Sequence, residues 1–310
     1  MTKVDVEAPP QRLLARVVAE FGLEVIGAWV EALGDLKSAL VFQGVNLANT
    51  EYLLTDAVAA KAHGRDGPPD ALRRPIRVHA LAQSLGLSPE TTRRAILRLE
   101  ADGLCERRVA GVTIPPAALE RASIRAAEDL TLASFVRELK MLEELGWRSA
   151  PIAAPGGELT VEGLAPWRHL VLLNIQDYVY RSALEMIPLF DHDYAKGLIF
   201  MAILSDNIRQ ITYDRELSWN YAAASAPPPN DIREAVSVRS IGAKLGFAPE
   251  TTRRYVNSLL NEGLCTRTLD GVVIPAEVLI RPEFVRSGLN IHMWFQAMLK
   301  RLDRGLNSAG

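Results

Sequence analysis

The residues best equipped for chemistry come in two copies of one hexapeptide, PETTRR, at Pro89–Arg94 and Pro249–Arg254. A guanidinium can grip a phosphate, or the O6/N7 edge of guanine, through two parallel hydrogen bonds. A threonine can bond a phosphate or touch a thymine methyl. Other chemistry is poorly served. Asp191-His192-Asp193 has the residue types of a metal site, but adjacent helical residues do not face one another, and after Pro188 Asp193 is a natural N-cap. His79, His169 and His292 stand alone, and Pro155-Gly156-Gly157 lies in a linker rather than after a strand. No Ser-His-Asp or Cys-His pattern has a recognisable context. The expectation is a protein that is not an enzyme and holds neither metal nor cofactor.

The elements that carry the hexapeptides are themselves repeated. Between positions 75–116 and 235–276, eighteen of forty-two aligned residues are identical, including Gly86, Gly103, Leu104, Cys105, Arg107, Gly111 and Ile114. LVFQGVNLAN (Leu40–Asn49) resembles LIFMAILSDN (Leu198–Asn207) more faintly. The 310 residues therefore read as one module of about 150 residues, duplicated: 1–150 and 151–310. The join is placed in the Pro- and Gly-rich Ser149–Pro166.

Each module opens with two long helices, expected at about Gln11–Leu33 and Leu36–Ala62, then at about Trp167–Ile187 and Tyr194–Ala224. Apolar residues recur at helical spacing, as at Leu13, Val17, Phe21 and Val25. A breaker-rich linker follows, GRDGPP or APPPND. Next, VHALAQSL reads as a short helix stopped by Gly86, and Ser88-Pro89 starts a second that runs to about Asp102. Thr92, Ile96 and Leu99 share one face of it, with Thr91, Arg94, Ala95 and Arg98 placed on the other. Two β-prone runs flank Ala110–Gly111, and Asp270–Gly271 is a two-residue hairpin signal at the same place in the second copy. A helix of some 20 residues closes each module.

Helix, tight turn, helix and β-hairpin in that order make a winged helix-turn-helix, placed at about 73–116 and 233–276. The segment resembles the winged-helix domains of bacterial transcription regulators. Its leucine-glycine-leucine, small polar residue and Thr-Thr-Arg-Arg are close to the GntR-like recognition unit, and the flanking long helices look like the MarR-like dimer architecture. The resemblance covers about 45 residues per module. The fold expected is mainly α, with the two modules related by an approximate two-fold inside one chain.

Charge is placed as nucleic acid would require. The formal net charge is −2, yet residues 73–108 carry eight arginines against four carboxylates, and 233–268 six basic groups against three. In helix-turn-helix docking the start of the second helix meets base edges. That singles out Ser88, Glu90, Thr91, Arg93, Arg94 and Arg98, with Arg107 and Arg108 on the wing. Their counterparts are Thr251, Arg253, Arg254, Tyr255 and Arg267. Ala248 replaces Ser88, so the second copy should lack its cap and bind differently, or more weakly.

The expected function is a double-stranded-DNA-binding transcription regulator with two reading heads that meet successive major grooves, roughly 34 Å apart. The alternatives are a replication initiator with paired winged helices and a winged-helix interaction protein that does not touch DNA. A homodimer and a small-molecule effector between the long helices are the further partners this architecture admits. Two cysteines, Cys105 and Cys265, do not make a disulfide framework and read as reduced, buried thiols of a cytoplasmic protein. No apolar run approaches the roughly 20 residues of a membrane helix.

Overall fold

Apolar periodicity puts most of the chain into helices. The computed structural model describes residues 10–147, 159–223 and 225–307. Among these the architecture is mainly helical, with two small two-stranded antiparallel sheets. Most of the expected join, Ser149–Pro166, lies outside the described residues.

In chain order the elements are α1 (Gln11–Leu33), α2 (Leu36–Thr50), α3 (Ala57–His63), α4 (Val78–Leu85), α5 (Pro89–Ala101), β1 (Glu106–Arg108), β2 (Gly111–Thr113), α6 (Pro116–Leu119), α7 (Ala122–Glu144) and α8 (Val161–Leu164). Then come α9 (Arg168–Met186), α10 (Tyr194–Asn207), α11 (Arg209–Tyr213), α12 (Arg215–Asn220), α13 (Val238–Leu245), α14 (Pro249–Asn261), β3 (Thr266–Arg267), β4 (Val272–Val273), α15 (Ala276–Leu279) and α16 (Pro282–Asn307). Two compact units divide the chain, and neither is a contiguous half of it. One comprises Glu24–Leu139, Arg148–Leu184 and Trp294–Gly310; the other comprises Met1–Leu23, Lys140–Trp147 and Glu185–Met293.

In the first of these units α2 packs on α4 and α5. Phe42 and Val45 meet Leu81, Leu85, Ile96 and Leu99, and Val112 and Ile114 of the hairpin close the core. In the other, α10 packs on α13 and α14 with Phe200, Ile203, Ile241, Val256, Leu259, Val272 and Ile274. The thiols of Cys105 and Cys265 lie free in these cores, pushed up to about 12 and about 11 by burial.

The second long helix of each module is shorter than expected. α2 stops at Thr50, a 3-10 turn spans Glu51–Leu54, and Asp56 caps α3. α10 stops at Asn207, and α11 and α12 continue as separate short helices, Asp214 capping the latter. The cause is a fully buried asparagine near each break. Asn49 Nδ2 donates to Arg74 O (2.7 Å) and Val112 O (3.2 Å), while Ile114 N donates to Asn49 Oδ1 (2.8 Å). Asn207 makes the same set with Glu234 O, Val272 O and Ile274 N. Each side chain thus pins its helix to the hairpin and the strand entering it.

Both hairpins turn one residue earlier than expected. Arg108 pairs with Gly111, and Thr268 N donates to Gly271 O, so the tips are Val109–Ala110 and Leu269–Asp270. The glycine is needed for close approach. Ile76 bridges Val112 across the hairpin, and a Cβ on Gly111 would lie 2.5 Å from Ile76 O. Gly271 meets Val236 O in the same way.

Candidate nucleic-acid interface

The turn before α5 is set by Gly86, whose left-handed backbone (φ 60°) ends α4. Ser88 then caps α5: its Oγ accepts from Thr91 N (3.1 Å) and donates to Thr91 Oγ1 (2.8 Å). Four residues turn inward, Thr92, Ala95, Ile96 and Leu99. Ala95 therefore lies on the core face, against the expectation, because it follows Thr92 by three residues and precedes Leu99 by four. The outer face presents Glu90, Arg93 and Arg94, with Thr91 half-buried beside them.

Glu90 organises that face. Its carboxylate accepts from Arg93 Nε (2.9 Å) and Nη2 (3.0 Å) and from Arg94 Nε (2.7 Å). The bonds from Arg93 and then Arg94 hold the Glu90 carboxyl below its ordinary pKa. All three side chains are half exposed or more, so the network is weak and screened by salt.

Arg98 turns away from the arginine pair. Its Nη1 bonds Asp35, which also caps α2 by accepting from Lys37 N and Ser38 N. This ion pair ties α5 to the start of α2. Arg107 Nε donates to Glu100 at 2.6 Å, and Arg108 Nη2 bonds both Asp70 (2.6 Å) and Glu106 (2.8 Å). Arg73, counted in the local charge, is buried, while Arg74 lies 4.5 Å over the Tyr52 ring.

The second copy uses different contacts for the same placement. Ala248 gives α14 no side-chain cap, as expected, but Ser237 caps α13 through Ser240 N, where Arg77 gives α4 none. Near the place Arg98 takes toward Asp35, Tyr255 has Asp193, the N-cap of α10, as its nearby charge: burial first, and then the Asp193 carboxylate, push the Tyr255 hydroxyl above its ordinary pKa. Thr252 is buried, Thr251 half-buried, and Arg253 and Arg254 exposed. Arg253 lies 3.4 Å from Glu250, and the Arg254 guanidinium stacks 5.0 Å over the Tyr255 ring. Leu260 stands where the first copy has Glu100, so Arg267 on β3 has no ion-pair partner among the described residues.

Local charge is thus distributed otherwise than the residue counts imply. In the first copy carboxylates hold Arg98, Arg107 and Arg108. In the second, Arg233 is buried and Lys244 is paired with Asp206, while Arg239, Arg254 and Arg267 are exposed without a carboxylate partner among the described residues. Asp193 is the N-cap expected of it, and Asp191 pairs with Lys196. Among the described residues no three metal-ligating side chains converge, and no helix is long and apolar enough to cross a membrane.

Sequence reasoning missed the positioning residues Asp35, Asn49, Asn207 and Tyr52. An available signal was the asparagine ending both LVFQGVNLAN and LIFMAILSDN, a buried polar residue amid apolar ones. Comparison with protein-family models, curated proteins and solved structures finds no match for the chain.

Proposed function

We propose that this chain is a sequence-specific, double-stranded-DNA-binding transcription regulator with two winged-helix reading heads, α4–β2 and α13–β4. One observation carries the reading. Both α5 and α14 bury Thr92 or Thr252 and turn an adjacent arginine pair outward at the helix start, with a hairpin bearing Arg107 or Arg267 next in the chain.

In such a head the N-terminal turn enters the major groove. Arg93 or Arg94 exchanges Glu90 for a guanine edge or a phosphate, and Thr91 bonds a phosphate or meets a thymine methyl. The hairpin arginine reaches the backbone. Phosphate neutralisation supplies salt-dependent affinity, and the base contacts supply selectivity. Arg239, Arg254 and Arg267, which have no carboxylate partner among the described residues, support strong phosphate contact by the second head, even though its helix is uncapped.

The test is a gel shift on duplexes selected from a random pool, comparing the parent chain with Arg93→Ala/Arg94→Ala and Arg253→Ala/Arg254→Ala. Loss of one bidentate guanine contact should cost about 1–3 kcal/mol, roughly 5- to 150-fold in affinity. Unchanged, salt-insensitive affinity in both double variants rejects the reading. The fully exposed Val109 and Leu269 at the hairpin tips favour a second reading, docking on a protein partner. It would gain if no duplex were selected.

A further inference from the structure

Both copies open their second helix with the same residues, PETTRR, yet the arginines make different contacts. Spacing does not explain this, since each copy sets a glutamate three and four positions ahead of its two arginines. At Glu90 both pairs form. The carboxylate accepts two bonds from Arg93 (2.9 and 3.0 Å) and one from Arg94 (2.7 Å). At Glu250 the contact among the described residues is a looser 3.4 Å approach of Arg253. Arg254 lies instead over the Tyr255 ring, 5.0 Å from its centre.

The cause must sit outside the shared hexapeptide. The next residue is Ala95 in the first copy and Tyr255 in the second. Alanine offers a guanidinium nothing, so Arg94 goes to Glu90. Tyr255 packs against the core of its unit, which holds its ring in place for Arg254. An exposed cation–π contact and an exposed ion pair are of similar strength, so the ring can outbid the carboxylate.

A carboxylate on this face competes with DNA. A phosphate has acceptors only: to meet one, Arg93 and Arg94 must let go of Glu90 and leave it facing a second anion. A G·C pair offers more. Its O6 and N7 accept from an arginine, and the cytosine N4 amino group donates to a carboxylate. We propose that Glu90 is a specificity-determining residue, an internal competitor that withholds the first head's arginines from phosphate and yields to a G·C edge. Tyr255 lifts this restraint in the second head by drawing Arg254 away from Glu250. The first head then selects and the second anchors; both roles rest on the DNA-binding function proposed above.

The full chain is titrated, by fluorescence anisotropy, with a duplex selected from a random pool and with a scrambled duplex of the same composition. Glu90→Gln should strengthen the scrambled duplex by about fivefold, the upper end of what an exposed ion pair contributes. The selected duplex should gain less, so selectivity falls. Glu250→Gln also removes one charge but should shift both duplexes alike. Tyr255→Leu keeps apolar bulk and removes the ring face. It should weaken the scrambled duplex severalfold, and adding Glu250→Gln should restore it. An equal gain for both duplexes in Glu90→Gln is charge removal alone and overturns the competitor. Scrambled-duplex affinity unchanged by Tyr255→Leu overturns the role of the ring. If Tyr255→Leu fails to fold by circular dichroism, Glu90→Gln against Glu250→Gln decides alone, and an equal fall of selectivity in both overturns the difference between heads. Without DNA, the Nε–H signals of Arg93 and Arg94 in NMR spectra should exchange faster with water in Glu90→Gln. Unchanged exchange overturns the competitor and leaves the DNA reading standing. A parent chain that binds no duplex overturns the DNA reading and both roles with it.

Discussion

Asp35 does two jobs with one carboxylate. It caps α2 and holds Arg98 of α5, so an arginine that in sequence belongs to the reading surface serves as a strut. Burial works to raise the Asp35 carboxyl, but bonds from the Ser38 backbone and hydroxyl, the Arg98 guanidinium and the Lys37 amide together hold it below its ordinary value. A carboxyl depressed in the folded chain stabilises it above the unfolded pKa of about 3.9, and that contribution is lost as pH falls through the folded value. Asn at the same position can still cap the helix but carries no charge. Asp35→Asn should therefore melt lower than the parent near neutrality, by no more than about 1 kcal/mol for a half-exposed pair. The deficit should start to shrink as pH falls below about 4 and vanish once it is below the folded value. Melting curves across pH check this, and a deficit that persists into acid would show that the charge contributes nothing.

At the scale of elements, the long helix, the helix pair and the hairpin are joined by a single amide in each unit. Asn49 satisfies two carbonyls and one N–H around β2, and its own side chain is fully buried. Asn49→Ala leaves those backbone groups unpaired and should destabilise its unit by about 2–4 kcal/mol, more than one buried group alone. Chemical denaturation measures this. Asn207→Ala should cost a similar amount, and a loss below that of an ordinary surface change in both would mean water replaces the amide. The same contacts explain why the second long helices break where sequence periodicity continues. Leu53, Ala60 and Ile211 keep an apolar repeat running past the break, but the asparagine amide, committed to another element, fixes where the helix stops.

At the scale of the molecule, the two copies are unlike in a consistent way. The first caps its second helix with Ser88 and places Arg93, Arg94, Arg98, Arg107 and Arg108 against carboxylates. The second caps its first helix with Ser237, stacks Arg254 on Tyr255 and leaves Arg267 without an ion pair among the described residues. On the function proposed above, heads with such different surroundings should prefer different bases. Sequences selected from a random duplex pool should therefore show two unlike half-sites. Arg253→Ala/Arg254→Ala should erase the preference in one half and keep it in the other. Loss of both halves together, or of neither, would reject two independent heads.

Much of this was legible in the residues alone. Ser88-Pro89, Gly86 and the 92-96-99 apolar face place α4 and α5 to within a residue, because caps, left-handed glycines and helical spacing are local rules. The buried Thr92 and Thr252 follow from the same spacing. What only the tertiary structure decided was which arginines are available. Arg73 and Arg233 are buried, Arg98 is bound to Asp35 sixty-three positions away, and Arg108 reaches Asp70. A sequence count treats all of these as equal charges, since Coulomb attraction and burial depend on distances that folding sets and chain order does not. The same holds for an apolar cleft beside α2, whose lining includes both Gln43 and His169 although 126 positions separate them.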